Sequence, residues 1–173
     1  TNIGDCAFKN CTKLEEFYMN KTVTFISNEL LFGCENLVNV SLTKSINEIG
    51  ERSFAGCKKL EDIIIPFSVR SIGAECFADC TSLTNFAVPP ALEEISNKLF
   101  YNCTNLVKVI LNSFIKEIGD SSFENCTSLS EIEKINSQKL KIGRNSFKNC
   151  NLDKQKYQYL FTNNDEKQTQ NNV

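Results

Sequence analysis

The chain has 173 residues, with Lys and Arg numbering 19 against 21 Asp and Glu for a net charge of −2, nine cysteines, one methionine and no histidine. A near-neutral balance gives no pull toward phosphate backbones, which argues against a nucleic-acid partner. The missing histidine removes the commonest general base, the Ser-His and Cys-His nucleophile pairs and every His-containing metal site, while the length suffices for one domain with a core of its own.

No basic stretch at the start leads into an apolar segment, and no apolar run approaches the ~18 residues that a membrane span needs, so this segment is read as not inserted in a membrane. Residues 1–11 supply only the second half of a repeating unit, with Ile3, Phe8 and Cys11 in their slots. The expectation is therefore a partial first coil, with further coils upstream in the natural protein.

The period shows first in the cysteines. Cys11, Cys34, Cys57, Cys80, Cys103, Cys126 and Cys150 are separated by 23 residues, except for 24 at the last step. Leu14, Leu37, Leu60, Leu83, Leu106 and Leu129 each follow a cysteine by three; Phe8, Phe54, Phe77, Phe100, Phe123 and Phe147 each precede one by three, with Leu31 in the second repeat. Isoleucine fills one more slot throughout, at Ile3, Ile26, Ile49, Ile72, Ile95, Ile118 and Ile142, and the extra residue lies between Leu129 and Ile142.

Within each unit the period-2 pairs Phe17/Met19, Val40/Leu42, Ile63/Ile65, Phe86/Val88 and Val109/Leu111 predict one strand with one buried face. A coil with so few inward side chains cannot form a core alone, so neighbours stack in parallel at the ~4.8 Å strand spacing into a right-handed solenoid. The slot before the cysteine reads Asn10, Gly33, Gly56, Asp79, Asn102, Asn125 and Asn149, three residue types that tolerate positive φ. This predicts a brief helical or 3-10 turn, over 51–55 in the third unit, closed by a left-handed residue. Beyond Cys150, Leu152, Tyr159, Leu160 and Phe161 are expected to cap the last coil, and the polar segment from Thr162 to be mobile.

Laid out as L-x-x-[VI]-x-[LIV]-P-x-x-V-x-x-I-G-x-x-[AS]-F-x-x-C-x-x, residues 1–150 resemble the BspA-like leucine-rich repeats, also called the Treponema pallidum type. The resemblance implies an α/β solenoid of about 23-residue coils, with a parallel β-sheet on one face and short helical or 3-10 turns. It departs from the general leucine-rich pattern in lacking an asparagine ladder, since the corresponding slot holds Thr22, Ser45, Ser68, Ala91 and Phe114. The resemblance further implies a non-catalytic protein-binding module displayed at a cell surface or secreted, with a protein ligand such as an extracellular-matrix or host surface protein. An intracellular interaction scaffold in the cytoplasm, using the same face, and a purely structural spacer are the alternatives.

A cysteine recurring at a packing period behaves as a small buried hydrophobe, and parallel Cβ vectors ~4.8 Å apart overshoot disulfide geometry, so free thiols are expected. No spacing suggests a metal site or cofactor, and adjacent carboxylates such as Glu61/Asp62 point to opposite faces of a strand, so no catalytic pair is assigned. Of five Asn-x-Ser/Thr sequons, at Asn10, Asn20, Asn39, Asn102 and Asn125, three fall in the positive-φ slot, where asparagine already has a backbone reason to be. The candidate binding residues are the outward strand slots Tyr18, Ser41, Ile64, Ala87, Ile110 and Glu133, rimmed by the polar column Glu16, Asn39, Asp62, Asn85, Lys108 and Glu131. Should this stripe not bind, the face around Arg70, Lys116 and Lys141 is next.

Overall fold

A computed structural model describes residues 3–134 and 140–161. In chain order the coils contribute β1 (Glu16–Tyr18) and β2 (Phe25–Ile26), β3 (Asn39–Ser41) and β4 (Glu48–Ile49), then β5 (Ser71–Ile72) alone. They continue with β6 (Asn85–Ala87) and β7 (Glu94–Ile95), β8 (Lys108–Leu111) and β9 (Glu117–Ile118), β10 (Glu131–Lys134) and β11 (Lys141–Ile142), and helix α1 (Gln158–Phe161). Every pairing is parallel and joins equivalent residues of successive coils: Phe17 beside Val40, Phe86 beside Val109, Val109 beside Ile132. Lys108 pairs with Glu131, 23 residues on, but Ile118 pairs with Ile142, 24 on, so the extra residue enters between β10 and β11.

The alternating pairs form the first sheet, as β1-β3 and β6-β8-β10. The isoleucine slots form a second sheet, as β2-β4-β5 and β7-β9-β11. Its strands are two residues long with one inward isoleucine each, too short for alternation to register in the sequence. The inward isoleucines of its middle strands, from Ile26 to Ile118, are at most 2% exposed.

The short turn expected over 51–55 is present, with Ala55 N–H donating to Arg52 O at 3.1 Å in 3-10 fashion, but it does not continue into a helix, because the alternate N–H groups build a third inter-coil ladder. Arg52 N–H donates to Ala74 O at 3.0 Å, Phe54 N–H to Cys76 O at 3.0 Å and Gly56 N–H to Ala78 O at 2.8 Å, and the pattern recurs in the coils on either side. A helix would spend those N–H groups within its own turn, leaving the next coil's carbonyls without donors. Two left-handed residues per coil turn the donors toward the neighbour instead. One is the Asn/Gly/Asp slot, at φ 58 to 75°, and the other is Cys6, Glu29, Arg52, Glu75, Lys98, Ser121 and Asn145, at φ 51 to 59°. At that second column the conformation costs about 1–2 kcal/mol per residue. A chain of ion pairs runs along it and opposes the cost: Lys9 with Glu29, Glu29 with Arg52 at 2.9 Å, Arg52 with Glu75 at 3.6 Å, and Glu75 with Lys98 at 3.4 Å.

The residue after each isoleucine sets how closely coils approach. A Cβ at Gly73 would lie 2.5 Å from Glu51 N, and one at Gly143 2.5 Å from Asp120 N. Their absence lets Gly73 N–H reach Ile49 O at 2.8 Å and Gly143 N–H reach Ile118 O at 2.7 Å. Serine replaces glycine at Ser27 and Ser96, and there the hydroxyl bonds the preceding coil's carbonyl, at Ile3 and Ile72. The second sheet is interrupted between β5 and β7, beside Ser96.

Phe54, Phe77, Phe100, Phe123 and Phe147 form a continuous ring stack, with centroids 5.3 to 5.8 Å apart and interplanar angles of 5 to 13°. The thiols do more than fill space. Cys80 Sγ donates to Phe54 O at 3.2 Å, Cys103 Sγ to Phe77 O at 3.0 Å and Cys126 Sγ to Phe100 O at 3.0 Å, so each ties the coil before it. All cysteines are free. Burial pushes Cys34 up to about 11 and Cys150 up to about 12, and raises Cys57, Cys76, Cys80, Cys103 and Cys126 well above an ordinary thiol. An asparagine ladder exists after all, in the left-handed slot. Asn102 Nδ2 donates to Asp79 Oδ1 at 2.9 Å, Asn125 to Asn102 at 2.8 Å and Asn149 to Asn125 at 2.7 Å.

At the far end Leu152 and Leu160 are buried, and Phe161 meets Phe147 edge-on at 6.3 Å. Tyr157, not anticipated, is buried with its hydroxyl accepting from Ile132 N–H at 3.1 Å, whereas Tyr159 is 44% exposed. The segment from Thr162, expected to be mobile, lies outside the described residues.

Replacing Phe77 by Ala, in mid-stack, should cost about 3–5 kcal/mol in urea unfolding, and Phe8→Ala at the half-buried end clearly less. Gly73→Ala, driven into backbone, should lose about 1–3 kcal/mol, whereas Gly4→Ala, with open space around it, should stay within ~0.5 kcal/mol. Thiol titration should find the exposed Cys6 and Cys11 fast, Cys150 slow and the six fully buried thiols silent until denaturation. Unfolded thiols ionise near pH ~8.5 and the buried ones above it, so the unfolded state loses protons first and stability should fall as pH rises past that value.

Candidate functional site

The outward face of the first sheet carries the column predicted from the sequence. Register places Tyr18 beside Ser41, Ala87 beside Ile110 and Ile110 beside Glu133. The rim column follows, Glu16 beside Asn39, and Asn85 beside Lys108 beside Glu131. Ile64 and Asp62 are placed differently. Residues 61–65 form no strand, and among the described residues no main-chain group of 62–65 bonds to a neighbouring coil. Ile63 and Ile65 remain 6% and 5% exposed and anchor the segment, which leaves Ile64 80% exposed between the two halves of the sheet.

A groove of about 390 Å³ lies at this break, with Ile64, Phe67, Ala87 and Ile110 as its apolar walls and Asp62, Asn85 and Lys108 at its edge. Phe67, 82% exposed, was missed by the strand-slot argument because it sits in the turn after Pro66. The equivalent residues are Lys21, Lys44, Pro90 and Ser113, so an aromatic in this slot of the third full unit is the signal that marks it. Phe114, 59% exposed, projects from a corner of the fifth unit. That corner is held by buried Asn112, whose amide donates to Pro89 O at 2.6 Å and Leu92 O at 2.8 Å and whose oxygen accepts from Phe114 and Ile115 N–H.

The polar rim is ordered by its own contacts. Lys108 bonds Glu133 at 2.9 Å and Glu131 at 3.1 Å, and these bonds hold its ammonium above the usual lysine range. Glu16 accepts from Tyr18 hydroxyl at 3.0 Å and from Asn39 at 3.1 Å, and the first contact raises the Tyr18 phenol. On the second sheet, Lys116 bonds Glu93 at 2.5 Å and Lys141 bonds Glu117 at 2.7 Å, which leaves Arg70 as the less committed cation of that face. That face presents two ion pairs beside Glu48, Arg70 and Glu94, so it is charged throughout, where the groove walls present hydrocarbon.

Among the described residues no group of three or more Cys, Asp or Glu side chains is placed to hold a metal ion. No helix of the described residues is long and apolar enough to cross a membrane. The sequon asparagines Asn102 and Asn125 use their Nδ2 atoms in the amide ladder, while Asn20 is exposed and accepts from Thr22 N–H at 3.0 Å through Oδ1.

The BspA type leucine rich repeat region matches residues 1–73 and 51–172 in six copies. No curated protein matches significantly. Among solved structures, the chain is similar to the leucine rich repeat protein of T. pallidum, with 28% identity and a TM-score of 0.87 over 91% of this chain and 75% of that one. A leucine-rich repeat protein from Bacteroides ovatus matches at 26% identity and a TM-score of 0.67, over 87% of this chain and 45% of its own. One from Eubacterium ventriosum matches at 25% and 0.68, over 78% of this chain and 42% of its own, so the chain spans less than half of each of these two. The 23-residue coils, their parallel register and these matches together establish that the chain belongs to the BspA-type leucine-rich repeat family.

Proposed function

We propose that this chain is a non-catalytic protein-binding module of the surface adhesin type, which takes its ligand on the outward face of the first sheet. Residues 1–150 would serve as the binding solenoid, with the C-terminal cap and the polar tail drawn from 151–173. The observation that carries the reading is the pairing of Ile64 and Phe67, 80% and 82% exposed, across a groove they share with Ala87 and Ile110. Water opposes such exposure, and an apolar centre with a polar rim is how protein interfaces are commonly built. Strand propensity accounts for an isoleucine in a strand slot but not for Ile64, whose segment forms no strand, nor for Phe67 in a turn. Placement at a cell surface, with an extracellular-matrix or host surface protein as ligand, comes from the family likeness; a cytoplasmic scaffold would use the same groove.

The test is the double substitution of Ile64 and Ile110 by Asp, with binding measured against a panel of immobilised matrix proteins. Affinity for the ligand found should fall at least about tenfold while the circular-dichroism spectrum stays unchanged, as loss of a central apolar anchor requires. Unchanged affinity would rule the groove out. Proximity labelling on intact and on permeabilised cells separates the surface reading from the cytoplasmic one.

A further inference from the structure

Resting on that reading, we infer that the element docking in the groove is a basic segment: an apolar side chain flanked within a few positions by lysine or arginine. The outward slots of the first sheet hold Glu16, Asp62, Glu131 and Glu133 against Lys108 as the one cation. The exposed position leading into them adds Glu15 and Glu61, which lie outside any strand and so escape the alternation expected of adjacent carboxylates. The face therefore carries five net negative charges in a chain whose total is −2, so the remainder is net positive. The asymmetry is spatial, not compositional.

Pairing sharpens it. In the turn ladder and on the second sheet, Glu29, Glu75, Glu93, Glu117 and Glu124 each bond a Lys or Arg of an adjacent coil, while Glu48, Glu51 and Glu94 stand apart from one another without an ion pair among the described residues. Among the described residues, Glu15, Glu16, Glu61 and Asp62 pair with no cation. Lys108 is held between Glu131 and Glu133, so it cannot serve them.

The groove adds the apolar half of the specification. About 390 Å³ is at the low end of ligand clefts and suits one or two large side chains of a protein segment. Asp62 stands at the groove edge and Glu61 precedes it, so an ammonium or guanidinium a few residues from the inserted side chain meets carboxylates that no internal cation satisfies. Complementary potentials of this kind steer encounter and reject acidic partners.

The experiment pans a displayed library of random 12-residue peptides against the chain, with the Ile64→Asp/Ile110→Asp variant as counter-selection. Synthetic versions of the selected peptides are then titrated by fluorescence anisotropy. Selected sequences should carry an aliphatic or aromatic residue flanked by at least two Lys or Arg. Their affinity should fall about tenfold between low and high salt, as screening shortens to a few Å, and by a similar factor in Glu61→Lys/Asp62→Lys, both exposed and without an ion pair to lose. Peptides that need Ile64 and Ile110 but are neutral or acidic would overturn the basic specification and leave the groove standing as a docking site. Peptides that bind both forms equally, or no enrichment at all, would sink the groove and this inference with it.

Discussion

The close approach of consecutive coils is the constraint on which the rest depends. Three ladders must close at one spacing, and a single Cβ in the wrong slot would break the fit, as the 2.5 Å approach at Gly73 makes plain. Glycine there lets the amide of one coil reach the carbonyl of the last, and serine offers a longer arm, its hydroxyl, where the main chains stand farther apart. Adjacent slots respond: Ser53 and Ser122 follow Gly50 and Gly119 by three and bond the preceding coil's carbonyls at Ser27 and Ser96, whereas Leu30 and Leu99 occupy the same slot behind the serines. Each coil thus finds one hydroxyl or amide solution to the same geometric demand.

Once the spacing is fixed, the interior is a set of one-residue columns. Rings stack on rings, and each ladder thiol finds the carbonyl of the phenylalanine slot one coil back, which explains why cysteine rather than alanine or valine recurs there. Valine would fill the volume and leave that carbonyl's second lone pair empty. Stability of this kind adds coil by coil, with each unit contacting only its neighbours. It follows that a local irregularity on one face, such as the unpaired segment 62–65, can exist without unravelling the columns beneath it: Ile63 and Ile65 stay buried while Ile64 stands clear.

The architecture was legible because a period repeated over six intervals fixes every buried slot at once, from Leu14 to Phe147. The left-handed slot before each cysteine was legible too, since Asn, Gly and Asp announce positive φ. The companion slot was not, because Glu29, Arg52, Glu75 and Lys98 carry no such signature, and their conformation is held by inter-coil bonds and ion pairs that no local pattern encodes. That omission is why the turn was legible in the sequence and the ladder that alternates with it was not. At the candidate site the outward column could be read by counting, but the sheet break could not, because Ile63 and Ile65 show as clean an alternation as any other unit. Phe67 escaped for a related reason: slot reasoning looks for what repeats, and Phe67 does not.

The amide ladder gives the stack a direction. From Asn149 to Asn125 to Asn102 every Nδ2 points to the preceding coil's oxygen, and the run ends on Asp79, a carboxylate that accepts and cannot donate. Aligned amide dipoles polarise one another, and an anion at the accepting end is where that polarisation is best received. The repeats are therefore not interchangeable beads. A duplicated asparagine coil inserted after Asp79 would extend the ladder at no loss, while the same coil placed before it would face the carboxylate with an oxygen and strand an amide against Gly56.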